Sequence, residues 1–116
     1  MNEKITTLSK AVQVIEALVR DAKPSVPFQF KQVKEGQYNA PLCLPEQEPF
    51  GSVEVKNTTL CNMQTLRAEF HGLMSNGKPQ RFYYPDFTVA AHQITNMVLS
   101  VLLAAQLGFT RKAKEV

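Results

Sequence analysis

The sequence has no tryptophan, only two cysteines and only five glycines among 116 residues. None of the glycines forms a G-x-G or Walker pattern, so a phosphate-binding loop of either kind is excluded. The cysteines, Cys43 and Cys61, make no Cys-x-x-Cys, which removes the usual redox pair and the usual zinc ribbon. A zinc set of Cys43, Cys61, His71 and His92 has no supporting spacing, so no metal is expected and both cysteines are read as small core residues. The opening "MNEKITTLSK" has no apolar run, so no secretory leader is expected and reduced thiols in the cytoplasm follow. The longest apolar run, "VLSVLLAAQLGF", is short for a membrane span, and His92, Gln93 and Asn96 precede it in one helix.

Between Thr88 and Thr110 there is no Lys, Arg, Asp or Glu at all. The net charge is only +3, well below the density of a protein that compacts nucleic acid.

What is present reads as one α+β domain over residues 1–110, followed by a basic flexible tail over 111–116. Ile5, Leu8, Val12, Ile15, Val19 and Ala22 fall at spacings of three and four, predicting a helix over 5–22 that Pro24 ends. Alternation predicts strands over 26–34, 51–57 and 65–74. A weaker strand, "QYNAPLCL", carries Pro41 and so suits an edge. Asn76-Gly77 is a two-residue turn signal leading into "QRFYY". Asp86 or Thr88 caps a second helix that runs to Leu107 and closes at Gly108. The expected architecture is a helix, an antiparallel sheet of four to five strands and a helix, with both helices on one face. Double-stranded-RNA-binding domains share this order loosely, but their last helix opens on lysines. Here that position reads "PDFTVAAHQ", and no membership follows.

If Asn76-Gly77 is a tight turn, Phe70 faces Tyr83, His71 faces Phe82 and Glu69 faces Tyr84. Leu66, Ala68, Phe70, Met74 and Tyr83 then belong to the core face, with Arg81 beside them near the turn. Arg67, Glu69, His71, Phe82 and Tyr84 belong to the open face. Two rings with an imidazole and a guanidinium suit stacking and phosphate binding, or equally a sheet face paired with a partner. The candidate binding residues are therefore Arg67, His71, Phe82 and Tyr84, helped by Arg111, Lys112 and Lys114.

In the second helix, Ala91, Ile94, Val98, Val101, Leu102 and Ala105 form a core stripe. Opposite it stand His92, Asn96, Leu99, Leu103 and Gln106. This stripe lacks the charges of a solvated face and fits a homo-oligomer interface.

Catalytic patterns are weak. Glu46 and Glu48 lie in a proline-rich loop, and Glu69 beside His71 is the only acid–imidazole pair. No catalytic residue and no cofactor are expected. The function expected is that of a non-enzymatic binding protein that sequesters or inhibits a partner protein or a small anionic, nucleotide-like ligand. The alternative is nucleic-acid binding through the open face. Small phage or mobile-element proteins are an analogy by size only.

Overall fold

The computed structural model describes residues 4–74 and 76–108. The tail over 111–116, with Arg111, Lys112 and Lys114, lies outside the described residues.

Helix α1 spans Leu8–Ala22 and buries Leu8, Ala11, Val12, Ile15 and Val19. It starts later than its apolar spacing predicts, because Thr7 caps it by accepting from the Lys10 amide at 3.2 Å. Ile5 instead donates its amide to Thr88 Oγ1 at 2.8 Å, tying the chain to the start of the second helix. Pro24 ends α1 as expected, and Lys23 before it leaves the helical region.

Strands β1 (Lys31–Lys34), β2 (Gln37–Leu42), β3 (Gly51–Leu60), β4 (Met63–His71) and β5 (Gln80–Tyr84) form one antiparallel sheet in sequential order. The segment 26–30 alternates but pairs with nothing in the ladder. Val26, Phe28 and Phe30 are still buried, and the two rings meet edge-on with centroids 5.2 Å apart. Pro41 lies in an interior strand, not at the sheet edge. The ladder with β1 reaches only to Asn39, so the missing amide of Pro41 faces no paired neighbour.

Strands β3 and β4 are joined by Cys61 and Asn62, with φ of 54° and 64°. Two left-handed residues form the primed turn that matches strand twist. Cys61 is consequently exposed, not a core residue as its type suggests, whereas Cys43 is buried.

Helix α2 spans Phe87–Gln106. Asp86 caps it by accepting from the amides of Thr88 and Val89 at 2.8 and 3.0 Å. It buries Phe87, Ala90, Ala91, Ile94, Thr95, Val98, Leu102 and Ala105. Gly108, at φ +86°, follows its last turn. Both helices lie on one side of the sheet and pack on each other, giving the α+β architecture expected. By length and composition α2 meets the requirement for a membrane span when the whole helix is counted. In the fold its apolar stripe is occupied in packing on α1, β4 and β5.

The β4–β5 register differs from that expected. Phe70 faces Gln80 and not Tyr83, a displacement of three residues. The reason lies at Gly72, where φ is +83° and a Cβ would come within 2.9 Å of the Phe50 carbonyl oxygen. Strand β4 leaves the ladder there, and pairing resumes only after Pro79, which has no amide to give. Asn76 and Gly77 do turn the chain. The Gly77 amide reaches the Met74 carbonyl at 3.0 Å and the Lys78 amide reaches Asn76 Oδ1 at 2.9 Å. They do so inside the connection 72–79, not between paired strands. An odd displacement exchanges the two faces of β5.

Candidate binding face

Cross-strand pairs assign the side chains of the sheet. Leu66 faces Tyr84 and Ala68 faces Phe82, so these belong to the helix side. Tyr84 is 9% exposed, and burial pushes its phenol above the ordinary value. Phe82 is half-buried and meets Phe70 edge-on at 6.2 Å. Both rings therefore leave the open face on which the sequence pattern put them. Tyr83 and Arg81 take their place, and Tyr83 is 45% exposed. Of the sequence-derived candidates, Arg67 and His71 stay on the open face.

One row of that face runs Asn39, Glu54, Glu69, Arg81 across four strands, and the next runs Gln37, Lys56, Arg67, Tyr83. Glu69 sits at the centre and is only 5% exposed, although it points away from both helices. Its burial comes from its neighbours. Arg81 Nε donates to Glu69 Oε2. His71 Nε2 lies 3.1 Å from Oε1, so that nitrogen carries the hydrogen. Arg67 Nη2 is 3.7 Å from the same oxygen and 3.3 Å from Glu54 Oε1. Gln37 donates its side-chain amide to Glu54 Oε2. The network thus joins β2, β3, β4 and β5.

Burial by itself pushes the Glu69 carboxyl upward. The Arg81 hydrogen bond, the contact with Glu54 and the charges of Arg67 and Arg81 outweigh it, and the net direction is downward. The Arg81 guanidinium is correspondingly held above its ordinary value by the hydrogen bond it donates to Glu69 and by the charge of that carboxylate. A carboxylate held ionised in this way is a poor proton donor and a good anchor for cations. Lys31 and Lys56 share the face. Among the described residues, the two rows extended into β1 hold five cations, Lys31, Lys34, Lys56, Arg67 and Arg81, against the two carboxylates Glu54 and Glu69. Arg67 Nε and Asn39 Oδ1 are enclosed with no hydrogen-bond partner among the described residues.

Glu54, Glu69 and His71 bring one ligand atom each within 4.8 Å of one another, the geometry of a cation site. Two guanidinium groups already occupy those carboxylates, and their charge opposes a metal ion at the same point. Cys61 and His71 flank opposite ends of β4, so they do not form a common site.

A second feature lies under α2 at the free edge of β5. Phe70, Leu73, Phe82, Met97 and Val101 line an open cavity of about 320 Å³, with Gln80, Asn96 and Ser100 at its rim. Elsewhere on α2, His92 and Gln106 are exposed and Leu103 is 50% exposed, while Asn96, also exposed, belongs to the cavity rim. Leu99 is half-buried against the core, and Gln106 accepts from Lys23 Nζ at 3.3 Å.

No protein-family model, no curated protein and no solved structure matches this chain. Glu54, Arg81 and Tyr83 are the residues that sequence reasoning missed. Alternation in "GSVEVKN" already puts Glu54 and Lys56 on one face, and was a usable signal. For Arg81 and Tyr83 the only signal was register, and the turn dipeptide pointed to the wrong one.

Proposed function

We propose that the protein is a non-catalytic binding module whose open sheet face receives an acidic protein surface or a small anionic ligand. The observation that carries this reading is the buried Glu69 carboxylate, which holds Arg67, Arg81 and His71 in place on a face turned away from both helices. Fixed cations lose less freedom on binding than mobile ones, which favours affinity and specificity. The role of Glu69 is to orient, and its lowered proton affinity argues against use as a general acid.

The stripe His92, Asn96, Leu99, Leu103 and Gln106 serves in this reading as the contact between copies of the chain. Its lack of charge supports that assignment.

A second reading, single-stranded nucleic acid, is favoured by one observation. Tyr83 is exposed and directly faces Arg67, a ring beside a cation.

Titration with polyglutamate, with a nucleoside triphosphate and with a single-stranded oligonucleotide over a range of salt tests the assignment. Saturable binding of polyglutamate or the triphosphate, with shallow salt dependence and lost in Arg81→Ala, is the expected result. Steep salt dependence confined to the oligonucleotide selects the second reading. Failure of all three to bind refutes both.

A further inference from the structure

The two edges of the sheet are treated differently. β1 is short, reads "KQVK", and has a register irregularity between Gln32 and Lys34. Lysines and a bulge are the usual means of stopping an edge from pairing with another chain. β5 has neither in its strand. It reads "QRFYY", and its ladder with β4 is regular from Gln80 to Tyr84. Among the described residues no strand pairs with its outer side, which is the kind of edge onto which an extended segment adds.

The surroundings of this edge set what the added strand must look like. Successive side chains of a strand point to opposite faces. Those on the helix side would enter the cavity of about 320 Å³ between Phe82, Phe70, Met97 and Val101. Those on the open side would lie beside Arg81 and Tyr83. Arg81 is more than half exposed and commits its Nε to Glu69, leaving the other guanidinium donors for a ligand. An antiparallel second copy of β5 centred on Phe82 would bring the two Arg81 side chains into a diagonal pair on one face. This opposes a second copy as occupant and favours a strand of acidic character.

We propose that β5 is a docking edge for an extended segment of a partner protein, one that alternates apolar residues toward the cavity with acidic residues toward Arg81. This rests on the anion-binding reading of the open face and specifies its partner.

The probes are short blocked peptides. One alternates valine and glutamate, one alternates valine and lysine, and one has the composition of the first with its valines grouped together. Amide exchange and chemical shifts of the protein report the location. The alternating acidic peptide should bind at least about tenfold more tightly than either control, a difference of about 1.4 kcal/mol. It should protect amides of Gln80–Tyr84. Arg81→Glu should reverse the preference between the acidic and basic peptides. Ser100→Trp, at an exposed helix position on the cavity rim, should weaken binding while the thermal melt stays in place.

Equal binding of the grouped-valine peptide, or binding without protection at β5, overturns the proposal. So does protection of β5 in the protein alone that grows with its concentration, since a second copy would then be the occupant. If polyglutamate still binds through Arg81 while the alternating peptide shows no advantage, the docking edge fails and the anion-binding face survives. If neither binds, both fail.

Discussion

Tyr83 lies directly opposite Arg67 across the β4–β5 ladder, on the sheet face turned away from both helices. Its neighbour Tyr84 lies opposite Leu66 in the core. Two adjacent tyrosines thus have opposite roles, and truncation separates them. Tyr84→Ala removes buried aromatic surface and should destabilise by about 3–5 kcal/mol. Tyr83→Ala should shift stability by no more than about 0.5 kcal/mol. Urea melts of the two variants check this. The reverse order would mean that the β5 faces are exchanged.

Glu69 links stability to acid pH. Its folded-state carboxyl titrates below the ordinary value of 4.5, so the unfolded chain takes up the proton first as pH falls. Its stabilisation is complete above the unfolded value and is lost as pH drops toward the folded one. Glu69→Gln should destabilise by about 1–3 kcal/mol at neutral pH, because enclosed donors lose a charged acceptor. The variant should also show a shallower loss of stability below pH 4.5 than the parent. Equal acid slopes in the two proteins would remove Glu69 from this role.

The Cys61–Asn62 turn uses two non-glycine residues in left-handed conformation. Replacing the pair with Asn-Gly, by Cys61→Asn with Asn62→Gly, supplies the residues that this turn favours. A gain of about 1 kcal/mol is expected in chemical denaturation. A loss would mean that the Cys61 side chain contributes more than its exposure suggests.

Leu103 is half exposed on the uncharged side of α2. Leu103→Glu should leave the fold of the single chain intact and abolish self-association, because a charge entering an apolar contact loses its water. Sedimentation of parent and variant at micromolar concentration is the measurement. A parent that sediments as a monomer excludes this interface.

Much of the fold was legible because periodicity reports burial directly. The three-and-four spacing of Leu8, Val12, Ile15 and Val19 marked α1, and the stripe Ala91, Ile94, Val98, Leu102 and Ala105 marked the buried side of α2. Alternation likewise marked the strand over 51–57, and the structure puts its Val53 and Val55 in the core with Glu54 on the other face. Alternation of Val26, Phe28 and Phe30 predicted a strand over 26–34, but only Lys31–Lys34 joins the ladder; the three apolar residues are buried without pairing.

Register was beyond sequence reasoning, because it depends on where two distant segments meet. Asn76-Gly77 has the local chemistry of a hairpin turn in either arrangement. What decides is the contact at Gly72, whose conformation and closeness to Phe50 and Gly51 end β4 early, together with Pro79, which delays β5. Side chains alternate with a period of two, so that displacement moved Tyr84 and Phe82 inward and Tyr83 and Arg81 outward. The charge network followed. Glu54, Glu69 and Arg81 come from three strands, and only the completed sheet puts them within hydrogen-bonding reach. The residue types and the helical and strand periods were set by the sequence alone. Which face each side chain of β5 occupies, and hence which cations Glu69 holds, was decided by tertiary pairing.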